Sequence, residues 1–218
     1  MTPILEPVPE QVTEPRSTRS ERKERTRRAI LDAALRLSGE GTLAALSLRQ
    51  VAKEVGIVPT AFYRHFESID ALGLALVDES FTSLRAMLRD VRRNGPAFAD
   101  IIDNSLQVLV EHVHAQREHF QFIARERAAG PIVVRAAIGQ QIELIERELA
   151  ADLAGLTGTD RWSAGDLQVL ANLIVTSVVG TAENIIAAGP DAEAAIVERA
   201  RVQLRMVLIG ALNWRSHG

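Results

Sequence analysis

From Ser20 onward the apolar positions recur at spacings of three and four, the period of a helix that turns one face inward. Ile30, Leu31, Ala34, Leu35 and Leu37 form the first such stripe, and Gly39 and Gly41 end it. Ser47 opens a second, short helix. Gln50 follows three residues later, the spacing at which a serine hydroxyl accepts one of the free N–H groups of a helix start. That helix runs to about Val55, Gly56 supplies a turn, and Pro59 suits the first turn of a third helix, where its missing N–H would be unpaired anyway. The pattern predicts this third helix over about Val58 to Arg64.

Beyond Ser68 helical periodicity continues, over about 68–92, 97–115, 117–128, 131–154, 163–188 and 191–212. The breaks are Asn94-Gly95-Pro96, Gly130-Pro131, Gly158 to Asp160 and Gly189-Pro190, and no two-residue alternation lies between them. The fold class is therefore all-α, with a three-helix N-terminal domain over 20–67 and a helical bundle over 68–218. Residues 1–19 hold four of the eight prolines and no periodicity, and read as a disordered arm. Its basic end, with Arg16 and Arg19 leading into Arg22, Lys23, Arg25, Arg27 and Arg28, suits phosphates or a minor groove.

Composition narrows the class. In 218 residues 47% are hydrophobic, enough for a core without staples, and there is no cysteine for a disulfide, thiol nucleophile or thiolate metal site. The N-terminus lacks the charged and apolar regions of a secretory signal, and no stretch reads as the roughly 20 apolar residues of a membrane span. These features imply a cytoplasmic protein with no membrane partner. A net charge of −3 hides an uneven distribution: residues 16–66 carry +6, residues 1–15 carry −3 and residues 67–218 carry −6. A compact basic segment attracts polyanions, and an acidic remainder orients the molecule on them.

The basic segment has the parts of a helix-turn-helix: apolar residues at the helix contact, a small residue where the helices approach, and a turn tolerant of unusual backbone angles. Val51, Val55, Ile57 and Phe62 supply the contact, Ala52 the small residue and Gly56 the turn. Thr60, Ala61, Tyr63, Arg64 and His65 then occupy the exposed positions, a set able to meet base edges and phosphates.

At this point the sequence resembles the TetR family, whose DNA-binding domain ends in a glycine, a short helix and a Tyr-x-His-Phe signature. Here the run is Gly56-Ile57-Val58-Pro59-Thr60-Ala61-Phe62-Tyr63-Arg64-His65-Phe66, and the likeness extends from about Thr26 through Ser80, including Ser47-Leu48-Arg49-Gln50-Val51-Ala52. The resemblance implies that Arg49, Thr60, Ala61 and Arg64 face bases while Tyr63 and His65 bond phosphates, with Thr26 and Pro59 completing the DNA-contacting set. It also implies a homodimer, built on the last two helices, that sets two reading heads on successive major grooves of a palindromic double-stranded operator.

The bundle is poor in aromatic residues and rich in aliphatic stripes. Leu106, Leu109, Val110, Val113, Phe120, Phe122 and Ile123 mark two successive helices, and Val134, Ile138, Ile142 and Ile145 the next. Such stripes serve either as plain core or as the wall of a pocket for a long apolar ligand. A narrower resemblance bears on that choice. Val58 through Phe66, Asp70-Ala71-Leu72-Gly73-Leu74, Val77-Asp78-Glu79-Ser80, Arg125-Glu126-Arg127 and Gln203-Leu204-Arg205-Met206 are similar to the TetR-type repressors of unsaturated fatty-acid synthesis, the FabR and DesT type. That likeness implies an acyl-CoA effector, with no cofactor. Arg125 and Arg127 then suit a CoA phosphate or thioester dipole, although helix-surface pairing around Glu126 is the plainer reading.

Two rival classes remain at this stage. An enzyme or metal protein would draw on the crowded His112, His114, His119, Glu111 and Glu118, but His114 points away from the other two histidines and no metal motif is recognisable. A helical adaptor for a protein partner is the other, and the basic helix-turn-helix argues against it.

Overall fold

The computed structural model describes residues 18–39, 41–93, 100–155 and 162–216, and among them it has nine helices and no strand. The helices are α1 (Arg19–Ser38), α2 (Leu48–Val55), α3 (Pro59–Phe62), α4 (Ile69–Arg93), α5 (Ile101–Ala115), α6 (Arg117–Ala129), α7 (Ile132–Ala154), α8 (Ala164–Ala187) and α9 (Pro190–Asn213). The breaks at 94–96 and 158–160, and the arm through residue 17, lie outside the described residues.

Local chemistry sets the ends of the head helices. Thr18 and Glu21 form a capping box at the start of α1, and Ser47 and Gln50 form the expected one at the start of α2. Gly56 closes α2 at φ 72°, a left-handed conformation that only glycine adopts without cost. Pro59 takes the first position of α3. That helix is shorter than the expected span to Arg64: Tyr63 to His65 form turns, with i to i+3 bonds from Arg64 N–H to Ala61 and from His65 N–H to Phe62. The tighter winding turns Phe66 back beside Phe62, ring centroids 5.8 Å apart, so both aromatics stay buried.

Head and bundle share one core. Ile30, Leu43, Val51, Phe62 and Phe66 of the head join Leu72, Leu76 and Phe81 of α4, Phe122 of α6, and Val134, Ile138 and Ile145 of α7. Leu43 lies in a 3-10 turn, Leu43–Ala45, between α1 and α2. Gly73 of α4 permits its approach, since a Cβ at Gly73 would lie 2.3 Å from the Leu43 Cδ2. A second core joins Leu106, Leu109 and Val113 of α5 to α8 and α9 through Ala182, Ile185, Ala200 and Leu204, and a third gathers Leu153, Leu167, Leu170 and Ala171 where α7 meets α8.

Candidate DNA-binding face and effector seam

Of the predicted DNA-contacting residues, Arg49, Pro59, Thr60, Tyr63 and Arg64 are exposed, while Thr26, Ala61 and His65 are half-buried. Tyr63 is 57% exposed and sets its ring edge-on against Phe62, with centroids 6.1 Å apart and planes at 83°. Phe62 thus anchors the ring from inside. Thr26 donates its hydroxyl to the Arg22 carbonyl of its own helix at 2.9 Å, which leaves the oxygen's lone pairs as its outward resource.

His65 is the tightest point of this face. Its Nδ1 is buried without a hydrogen-bond partner. Burial first, and then the charges of Lys23, Arg27 and Arg64, hold the imidazole below its ordinary value, with Glu24 opposing them. The ring is therefore neutral at pH 7 in a cationic setting, a setting suited to an anionic oxygen. Sequence reading assigned Lys23 and Arg27 to the basic end of the arm. The fold brings them beside the reading turn, because α1 packs against α2 and the Arg27 guanidinium lies 4.5 Å over the Phe66 ring. The signal in the sequence was the four-residue spacing of Lys23 and Arg27 on one helix face, but which neighbour that face meets is a tertiary fact.

The stripes assigned to a ligand divide between the two larger cores. Leu106, Leu109 and Val113 are buried in the second, with Val110 and Phe120 packed on it, whereas Ile138 is buried in the first, with Ile123 and Ile142 against it. Between them runs a narrow slot lined by Ser80, Ser83 and Leu84 of α4, His112 of α5, Gln116 of the α5–α6 turn, and His119, Phe120 and Ile123 of α6. It has room for about one water molecule. Phe120 and Ile123 are thus the predicted ligand residues that line it. Ser80 Oγ lies 2.9 Å from His119 Nδ1, and His112 Nδ1 lies 3.1 Å from the Val108 carbonyl. Burial, with Arg28 adding to it, lowers the His119 imidazole against the pull of Glu79.

The two arginines of the ligand set are engaged in other contacts. Arg125 donates to carbonyl oxygens at the end of α1, and Arg127 pairs with Glu183 of α8 at 2.9 Å rather than with Glu126. Glu126 points inward and is fully buried. His112 and His119 do reach the same slot, while His114 pairs with Glu193 at 2.8 Å on another side. Among the described residues no group of three or more His, Asp or Glu side chains is placed to hold a metal ion.

Between α8 and α9 runs an open groove lined by Leu173, Gly180, Ala187, Ile196 and Val207, and Leu173 is 50% exposed there; Met206, Ile209 and Leu212 of α9 are exposed as well. The expectation that no segment has the length and apolarity of a membrane span needs correction at α8. This 24-residue helix passes that test by length and composition, and a third of its most apolar window is buried.

A head of α1, α2 and α3, with two short helices joined by a tight glycine turn, is thus packed through a shared core on a six-helix bundle. Residues 30–76 match the family described as bacterial regulatory proteins, tetR family, and residues 98–210 match the tetracyclin repressor-like C-terminal domain. The chain belongs to the TetR family: it is a transcriptional regulator with a DNA-binding and a ligand-binding domain, not an enzyme. Similar solved structures include a transcriptional regulator from Rhodococcus sp. Rha1, 23% identical, covering 86% of this chain and 96% of that one at a TM-score of 0.65. A TetR-family regulator from Agrobacterium tumefaciens is 19% identical over 83% and 98% of the two chains, also at 0.65. The fatty acid degradation regulator FadR from Bacillus halodurans is 14% identical over 87% and 97%, again at 0.65.

Proposed function

We propose that this regulator is a cytoplasmic homodimeric repressor that binds a palindromic operator, and that a long-chain acyl-CoA or a related lipid tunes its affinity for DNA. The observation that carries the DNA half is the gathering of Lys23, Arg27 and Arg64 around a half-buried His65, on a head that leaves Arg49, Thr60 and Tyr63 exposed. Phosphate ligation by Tyr63 and His65 fixes register, and Arg64 reaches base edges. Dimerisation is supported by α8 and α9, which leave Val169, Leu173, Met206, Ile209 and Leu212 exposed and carry a groove with the small residues Gly180 and Ala187 in its lining. A second copy laid against this face removes that surface from water, and it accounts for α8 being apolar beyond its buried third.

Support for a lipid effector lies in the seam. Phe120, Ile123 and Leu84 give the slot apolar lining beside Ser80, Ser83 and His119, a mixture that suits a chain with a polar end. At about 0.8 kcal/mol per buried methylene a long acyl chain supplies the energy to part α4 from α6, and the response follows only if the opened state has a different affinity for DNA.

The test is fluorescence anisotropy with duplex DNA from upstream of the chain's own gene. Tyr63→Phe and His65→Ala weaken binding to operator and random duplex alike, whereas Arg64→Ala also narrows the gap between the two, by about 1 to 3 kcal/mol for a lost bidentate base contact. Retained affinity with unchanged specificity in all three variants refutes the assignment. Oleoyl-CoA and stearoyl-CoA are then titrated into the complex. If neither shifts the affinity, the lipid part fails, and a monomeric mass at micromolar concentration removes the dimer.

A further inference from the structure

Within the head the aliphatic side chains turn inward, with one departure. Among its described residues every leucine and isoleucine, and every valine but Val58, is buried or half-buried. Val55 and Ile57 pack on the first core, whereas Val58 is 65% exposed. The backbone holds it there. Gly56 closes α2 at φ 72°, the Ile57 N–H donates to the Ala52 carbonyl at 2.9 Å, and the Val58 carbonyl accepts the Ala61 N–H at 2.8 Å. Val58 itself is extended, at φ −71° and ψ 145°, the conformation that a following proline favours, and a β-branched side chain has few rotamers to choose from. Its two methyl groups therefore stand at a fixed place on the surface.

Local stability does not explain a valine at this point. Val58 is the residue before α3, and no side chain there accepts an N–H of the helix. Serine, threonine, aspartate or asparagine would do so and stabilise the helix. With Pro59, which has no N–H, Val58 makes an exposed step whose side chains offer neither donor nor acceptor. The surroundings are cationic: Arg49 and Arg64 are exposed on the same head, and Lys23 and Arg27 act on His65. Duplex DNA is the partner that these charges draw. On its base edges in the major groove the C5-methyl of thymine is the one apolar group. Opposite any other edge an aliphatic side chain strips water from a donor or acceptor and returns no hydrogen bond.

We propose that Val58 selects thymine: its isopropyl group packs on a thymine C5-methyl at one position of the operator and disfavours the other bases there. The inference rests on the assignment of the α2–α3 face to the major groove. It gives part of the base selection to a side chain with no polar atom, separate from the hydrogen bonds of Arg64.

The test starts from duplexes that the full chain selects out of a randomised pool. Each thymine of the preferred sequence is then replaced in turn by uracil, which removes the methyl group and keeps the base pair. In fluorescence anisotropy one such replacement weakens binding of the parent about fourfold, the effect of burying a single methyl group, and in Val58→Ala the same replacement changes affinity by less than about 1.5-fold. Arg64→Ala keeps the methyl effect, so its loss belongs to the valine and not to the reading face in general. Val58→Ser separates the contact from a role in folding: it supplies the missing cap, so its urea midpoint equals or exceeds that of the parent while the methyl effect disappears. A parent indifferent to every thymine methyl overturns the proposal, and so does a methyl effect that persists in both valine variants. A pool that yields no preferred sequence sinks the major-groove assignment and the proposal with it, whereas a preferred sequence without a methyl effect sinks the proposal alone.

Discussion

Leu43 and Gly73 offer a quantitative test of the shared core. Leu43 is fully buried, and Leu43→Ala removes methyl groups from a site walled by both head and bundle, a change that costs about 2 to 5 kcal/mol in buried positions. Gly73→Ala acts on the same space from the other side. Alone, it gains about 1 kcal/mol of helix propensity in α4. Against that, its new methyl meets the Leu43 Cδ2 at 2.3 Å and the Val134 Cγ2 at 2.9 Å, both on fully buried side chains, and such overpacking costs about 1 to 3 kcal/mol. In the Leu43→Ala background the nearer obstacle is gone, and the added methyl occupies part of the vacated space. The double variant should therefore be more stable than the sum of the singles by about 1 to 3 kcal/mol, measured by urea unfolding of all four proteins. Additivity within about 0.5 kcal/mol would falsify the packing described here. A heat scan of Leu43→Ala adds a second criterion: if the head melted in a separate early transition while the bundle kept its parent midpoint, the two would not be one cooperative core.

Two further outcomes follow from the local chemistry. Ser47→Ala removes the hydroxyl that accepts the Gln50 N–H at 3.2 Å and should lower stability by about 1 kcal/mol in the same urea assay, with no change in ligand response. Stability should also depend on pH through His119 and Glu126 with opposite signs. The folded chain holds the His119 imidazole below its ordinary 6.5, so the unfolded chain binds more protons as pH falls past that value, and stability declines from there downward. The Glu126 carboxyl is raised above 4.5, chiefly by burial, so the folded chain takes up its proton first and gains stability as pH falls toward 4.5. His119→Asn should flatten the decline below about pH 6.5, and Glu126→Gln should remove the opposing gain. Parallel profiles for parent and variants would count against both assignments.

Much of this was legible from short-range pattern. The capping box at Ser47 and Gln50, the turn at Gly56 and the proline start of α3 depend on residues within four positions of each other, and their chemistry does not wait for the rest of the chain. The same holds for the exposed set Thr60, Tyr63 and Arg64, since a short helix and the turns after it, with Phe62 and Phe66 inward, have only one other face to show. Helix spans in the bundle follow for a similar reason, because a stripe at three and four defines a buried face whatever it packs against.

Which stripe meets which is a question of tertiary structure, because periodicity fixes the existence of an apolar face and not its neighbour. Leu106 and Ile138 serve equally in sequence as core or as pocket wall, and the fold places them in different cores. Arg125, which the sequence offers either to a ligand phosphate or to surface pairing, holds carbonyls at and just beyond the end of α1, partners 84 to 87 residues away that no local spacing encodes. The sequence suggests surface pairing of Glu126 with the arginines on either side, and the fold instead buries it on the Leu43 amide. The sequence by itself thus determined the helices, their faces and the reading turn. Only the packed structure decided that Lys23 and Arg27 join that turn, that a seam runs between two cores, and that α6 grips the head beside it, because each of these depends on distant segments sharing space.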